Sequence, residues 1–272
     1  MSDPALPDPG LSPRIIAIAN QKGGVGKTTT AINLAAALAE MDLEILVIDL
    51  DPQGNASTGL GLTPTDRDRT SYDLLLEDAR LPDVARRTEH RGISLIPATT
   101  DLSSADIAMA GSAGRTARLR KALTAEAIAG YDYVLIDCPP SLSLLTLNAM
   151  VAADALLVPL QAEFFALEGL SQLMLTMREV RDSINPDLRI EGVLITMYDR
   201  RNNLAQHVEA DARDTLGELV FRTVIPRNVR LSEAPSHACP VLSYDSASKG
   251  SEAYRALARE ISSRHARPGV PA

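Results

Sequence analysis

At 272 residues, 45% of them hydrophobic, the chain is long enough to bury one large sheet, and with 3% aromatics and no Trp its core must be aliphatic. Its two cysteines, Cys138 and Cys239, form neither a disulfide framework nor a C-x-x-C pair, which fits a reducing cytoplasm, and no run of 18 apolar residues exists to span a membrane. The net charge of −8 weighs against nucleic acid, but the acidic excess lies before residue 178, so a local basic face on the near-neutral remainder is compatible.

Residues 1–13 are rich in Pro, Asp and Ser, with no basic start and no apolar segment, and read as a disordered tail rather than a signal peptide. Residues 14–19 form an apolar run of the kind found in buried parallel strands. The glycine-rich stretch Gln21-Lys22-Gly23-Gly24-Val25-Gly26-Lys27-Thr28-Thr29 follows, and then Ile32, Leu34, Ala35, Leu38 and Met41 recur at helical spacing over 27–41. Strand, glycine turn and helix are the context of the phosphate-binding loop G-x-x-x-x-G-K-[ST]. Glycines let backbone N–H groups turn toward one anion, and the helix adds the positive end of its dipole. On that reading Lys27 holds the β- and γ-phosphates of ATP, the Thr28 hydroxyl ligates Mg²⁺, and Thr29 adds a contact near the α-phosphate. Two departures stand out: Gln21 occupies the first glycine position, and Lys22 is an extra cation in a chain with only four lysines.

A second strand, 44–49, runs into Asp49-Leu50-Asp51-Pro52-Gln53-Gly54-Asn55. The i, i+2 spacing puts Asp49 and Asp51 on one side if the strand persists. Ligands of open α/β sheets sit beyond the carboxyl ends of the strands, so these carboxylates belong near the nucleotide, unless they only cap backbone N–H groups of the turn. Helix 71–77, strand 93–97 and helices 103–109 and 115–129 come next. Strand 133–137 then delivers Asp137 at its end, followed by Cys138, which reads as packing, and Pro139-Pro140. Helix 143–152, strand 155–160, helix 166–184 and strand 190–197 precede an Arg200-Arg201 pair, helix 203–216, strand 219–225, the turn Ile225-Pro226-Arg227-Asn228-Val229-Arg230 and helix 248–264. This alternation predicts an α/β fold, doubly wound, with a mostly parallel central sheet covered by helices on both faces. One domain, 14–264, and a short tail, 265–272, are expected. The four histidines are scattered without metal spacing.

With Lys22 in place, the loop KGGVGKTT resembles the deviant Walker A family of P-loop NTPases, which covers ParA partition ATPases, MinD regulators, nitrogenase iron proteins and ArsA pumps. Within it the chain is most similar to the chromosomal ParA/Soj type. The likeness runs from about residue 14 to 264 and includes DLDPQGN, IDCPPS, the stretches 159–169 and 196–204, and IPRNVRLSEAPS. The resemblance implies a Mg²⁺-dependent ATPase that forms a homodimer on ATP binding. It implies that Lys22 reaches phosphates held by the other subunit, that Asp51 orients the attacking water, that Asp49 acts near the Mg²⁺ shell and that Asp137 is the Walker B carboxylate. It also places Pro226 against the adenine and Asn228 at its edge. Arg201, and secondarily Arg230, match positions tied to sequence-independent binding of double-stranded DNA. The implied partner is a ParB-type centromere-binding protein that stimulates slow hydrolysis, and the implied location is the cytoplasm, on the nucleoid. A MinD-like membrane-surface positioning ATPase and a ParA-like protein with another cargo are the alternatives. Against the first, Tyr254, Leu257, Ala258 and Ile261 form a narrow stripe on the last helix, without Phe or Trp, that suits packing better than lipid.

Overall fold

The computed structural model describes residues 12–163 and 166–265; most of both expected tails, and residues 164–165 of the 159–169 stretch, lie outside the described residues. Seven strands form one sheet: β1 (Arg14–Ile18), β2 (Ile45–Asp49), β3 (Arg86–Arg87), β4 (Ile93–Ile96), β5 (Tyr133–Asp137), β6 (Ala155–Gln161) and β7 (Arg189–Thr196). Their spatial order is β3-β4-β2-β5-β1-β6-β7, and every pair is parallel except β3 with β4.

Alternation along the strands explains the two-sided core. Leu46, Ile48, Val134 and Ile136 join the core on one face, where the helices Leu144–Ala152, Ala166–Ser183 and Asn203–Leu216 pack. Ile16, Ile18, Ile45, Val47 and Leu135 point to the other, against the helices Lys27–Ala39 and Lys249–His265. Tyr254, Leu257, Ala258 and Ile261 of the last helix are all at most 1% exposed, so the stripe read from the sequence is consumed by packing on the domain. Among the described residues no helix is long and apolar enough to cross a membrane.

Register places the chemistry. Asp137 is paired with Ile18 on one side and with Asp49 on the other. The glycine loop leaves β1 just beyond Ile18, so loop, Asp137 and Asp49 stand side by side at the carboxyl ends of three central strands.

Two expected elements differ. Residues 219–225 form no regular strand: Leu219 ends a 3₁₀ turn, and the segment meets β7 and the residues after it through isolated bridges, Val220 with Val193 and Pro226 with Tyr198. Phe221 and Ile225 donate N–H to Val193 O (3.0 Å) and Ile195 O (2.8 Å), whereas the N–H groups of Arg222 and Thr223 turn to the Glu260 carboxylate at 2.8 and 2.9 Å. The expected helix 115–129 is two short ones, Arg118–Ala122 and Ala125–Ile128, broken where Thr124 turns extended and its hydroxyl caps Ala127 N–H at 3.2 Å. The two-residue β3 and several single-turn helices carry too few residues to show a period in the sequence.

Candidate functional site

The loop between β1 and the first helix is shaped by Gly24 (φ +74°) and Gly26 (φ +89°), both in the left-handed region that side chains resist. Gly26 is the helix N-cap and offers no side chain to the first-turn amides, which leaves them for a ligand. Val25 is buried, and its carbonyl accepts the Thr196 hydroxyl at 2.8 Å, which pins the loop to the end of β7. Lys27 is 6% exposed and curls back so that Nζ donates to Lys22 O at 3.1 Å. Burial lowers its pKa, and nearby Asp137 pulls in the opposite direction.

Asp137 is fully buried, and neither of its carboxylate oxygens has a hydrogen-bond partner. Burial pushes its pKa well above the ordinary value and Asp49 adds to this; Thr28, whose hydroxyl approaches without completing a hydrogen bond, and Lys27 act against it. A buried carboxylate without donors is costly. A hard cation shared with the Thr28 hydroxyl removes that cost, so the donor set fits Mg²⁺, which takes one or two carboxylates and fills its other positions with water and phosphate. Among the described residues no three His, Cys, Asp or Glu side chains form a ready metal cage.

Strand β2 ends at Asp49, and Leu50, between Asp49 and Asp51, still turns into the core. The two aspartates differ in environment. Asp49 is fully buried and saturated: Oδ1 accepts Asp51 N–H (3.1 Å), and Oδ2 accepts both the N–H and hydroxyl of Ser57 (2.9 and 2.6 Å). Burial raises its pKa to about 6 in spite of these bonds. Asp51 is 7% exposed; Oδ1 accepts Gln53 N–H at 3.0 Å, and among the described residues Oδ2 accepts nothing.

Gly26, Thr29, Thr196, Pro226, Asn228 and Tyr254 line one cavity of about 430 Å³, large enough for a nucleoside. The structure thus brings Pro226 and Asn228 to the loop, although the Asn228 side chain also caps Arg230 N–H at 2.8 Å. Lys22 is exposed, with Nζ 2.6 Å from Glu163 Oε2 of its own chain. Arg201 is exposed and forks onto Asp199, Nε to Oδ1 at 3.0 Å and Nη2 to Oδ2 at 2.9 Å. Arg230 lies between Glu233 (2.8 Å) and Asp245 (3.2 Å).

A family model described as an AAA domain matches residues 13–190. The chromosome partitioning protein ParA of Caulobacter vibrioides is 59% identical over 252 residues, 92% of this chain and 94% of that protein. The chain belongs to the ParA/Soj family. The sporulation initiation inhibitor protein Soj of Bacillus subtilis, another member, is 50% identical over 91% of this chain and 98% of its own. Among solved structures, cobyrinic acid a,c-diamide synthase of Mycobacterium smegmatis with a bound ATP analog and magnesium shares the fold with a TM-score of 0.79. It is 39% identical, with 91% of this chain and 93% of that one covered. For a ParA/Soj chain the motif residues Lys27, Thr28, Asp51 and Asp137 are legible in the sequence. Thr196, Ser57 and Ser71 are not: Ser71 Oγ donates to Asp49 O (2.6 Å) and Pro97 O (3.1 Å), and no local pattern marks such a contact.

Proposed function

We propose that a single ATPase domain spanning 14–264 works as an ATP-driven dimerising switch for chromosome partition, bound to DNA without sequence preference and paired with a ParB-type partner. The observation that carries this reading is Asp137, a buried carboxylate with two free oxygens beside Thr28 and Lys27 at the mouth of a phosphate-type loop. The names of the relatives supply the cargo, and the nucleotide and magnesium of the solved neighbour supply the ligand class.

Bound Mg²⁺·ATP supplies the phosphoryl group to be transferred and the positive charge that steadies it. Lys27 and the loop amides hold the β- and γ-phosphates. Thr28 and Asp137 hold the ion, and Asp49, already saturated by Ser57 and Asp51, acts from outside it. Gly23, Gly24, Val25 and Gly26 present backbone to the phosphates, Thr29 reaches the α-phosphate, and Pro226 and Asn228 flank the base. Asp51, with one oxygen free, orients the attacking water. Lys22 gives up Glu163 and serves phosphates of the second subunit. Dimerisation doubles a weak cationic patch containing Arg201 and Arg230, so DNA affinity rises with ATP, and hydrolysis releases both. The setting is the cytoplasm, on the nucleoid.

Titration with a fluorescent ATP analogue, with and without Mg²⁺, tests the reading. The unaltered chain should bind more tightly with Mg²⁺. Asp137→Ala should lose that Mg²⁺ advantage, a weakening of about tenfold or more for a lost ion ligand. An Asp137→Ala protein with an unchanged Mg²⁺ response would remove the observation on which the proposal stands.

A further inference from the structure

The turn that carries Asp51 rests on a buried arginine that the site described so far does not use. Arg67 follows the 3₁₀ turn Pro64–Asp66 and is 9% exposed. Its guanidinium donates Nη1 to Ala98 O at 3.0 Å, Nη2 to Thr58 Oγ1 at 2.8 Å and to Leu62 O at 2.7 Å, and Nε to Leu62 O at 3.2 Å. All these acceptors are uncharged, and among the described residues no carboxylate pairs with it. Arginine is rarely this buried without an ion pair. Its rigid planar fork serves three separate acceptors, while the carboxylates of Asp49 and Asp66, beyond pairing distance, offset part of the cost of burying its charge.

Gly54 lies against that fork. Its φ is +62°, and a Cβ there would fall 2.3 Å from Arg67 Nη1 and 2.9 Å from Ala98 O. Gly54 closes the turn begun by Asp51: Gly54 N–H donates to Asp51 O at 2.9 Å, and Gln53 N–H to Asp51 Oδ1 at 3.0 Å. A second strut reaches the same place. Ala98 N–H donates to Ser57 Oγ at 3.0 Å, and Ser57 Oγ donates to Asp49 Oδ2. Arg67 and Ser57 therefore tie the turn and the short helix Asn55–Gly59 to one residue, Ala98, just beyond β4.

We propose that Arg67 is a positioning residue for ATP hydrolysis: its guanidinium supports the Asp51–Gly54 turn and so fixes where the Asp51 carboxylate stands. This rests on the ATPase reading above. None of Arg67's hydrogen bonds reaches the glycine loop, so its loss should leave nucleotide binding in place and displace the group that aims the water. Misplacement of such a group by about 1 Å is enough to slow a reaction by about a hundredfold.

The test compares Arg67→Ala, Arg67→Lys and the unaltered chain for ATP affinity and kcat. Arg67→Ala should bind ATP within about threefold of the unaltered chain and lose at least about tenfold in kcat, the pattern of an interaction needed only in the transition state. Arg67→Lys should recover little, since an ammonium cannot span the three acceptors. Millimolar methylguanidinium should restore part of the Arg67→Ala rate. An unchanged kcat, a fall in affinity matching the fall in kcat, or a rate unmoved by methylguanidinium overturns the assignment. If Arg67→Ala does not fold, Thr58→Val removes one acceptor with Arg67 in place, and a normal kcat there overturns it equally. The unaltered chain separates the two failures. If it neither binds nor hydrolyses ATP, the ATPase reading falls; if it does both and Arg67→Ala matches it, only the role of Arg67 falls.

Discussion

Lys22 spends its charge within its own chain. The Lys22–Glu163 pair is short, 2.6 Å, but both side chains are nearly half exposed, and an ion pair that wet contributes at most about 1 kcal/mol. On the proposed reading, a phosphate of the second subunit, more highly charged and out of water, would replace Glu163 at little cost. Lys22→Ala is therefore expected to change the denaturation midpoint of the nucleotide-free chain little, to leave ATP binding intact, and to stop ATP-dependent dimerisation. Denaturant melts and light scattering with a non-hydrolysable analogue check the three parts. Dimers of Lys22→Ala as abundant as those of the unaltered chain would take the lysine out of the interface. The contrast with Lys27 shows what a sequence can and cannot say about one residue. Both lysines lie in the same glycine loop; its spacing points Lys27 at phosphate, whereas the reading of Lys22 comes from the family resemblance. That one is 6% exposed on a backbone carbonyl and the other waits on Glu163 depends on chain 141 positions away. Ser57, Ser71 and Arg67 are harder still, because hydroxyls and arginines serve buried backbone anywhere in a chain and carry no period.

Strands β1, β2 and β5 are readable because each is buried on both faces and so appears as an unbroken apolar run, and each ends at the glycine loop or on an aspartate. The same reasoning over-reached at 219–225, where apolar residues dock beside β7 while Glu260 of the last helix takes two of the backbone donors. The last helix is fastened at its final residue too. Glu191 of β7, 6% exposed, receives His265 Nε2 at 3.0 Å and Arg14 Nη2 at 3.5 Å, and His265 Nδ1 meets the Tyr133 hydroxyl at 3.0 Å. Burial alone would raise the pKa of Glu191, but the bond to His265 and the charges of His265 and Arg14 outweigh it and hold the carboxyl below its usual value. A depressed carboxylate adds stability that is present above its unfolded value, near 4.5, and is lost as pH falls through the lower folded value. Glu191→Gln should thus cost about 1–3 kcal/mol at neutral pH, as for a hydrogen bond to a charged group. The gap between variant and unaltered chain should close as pH falls below the ordinary carboxylate range. Denaturant melts across that range decide it: a gap independent of pH would make the loss one of packing rather than of charge.

On the proposed reading, a chain of net charge −8 must make its DNA face locally, and both arginines proposed for that face are already paired with acids. Arg201 is bound to Asp199, whose pKa its fork draws down to about 2, and Arg230 is shared between two acids. Each patch alone is weak, and phosphates must compete with carboxylates already in place. In the proposed dimer, two subunits held together by nucleotide would present both patches to one duplex, where the second contact would follow at high effective concentration. Affinity for DNA then reports on dimerisation, and it should be steep in ATP and in salt. Arg201→Ala is expected to lower retention on plasmid DNA in sedimentation with ATP and to flatten the dependence of binding on salt by about one counterion per lost phosphate contact, with the ATP-dependent dimer unchanged. The two readouts must be taken together, because a variant that fails to dimerise also loses DNA. If Arg201→Ala dimerises and keeps the unaltered salt slope, the DNA face lies elsewhere on the molecule. The next candidate is then the groove of about 660 Å³ lined by Arg200, Arg213 and Arg222 beside the helix Asn203–Leu216.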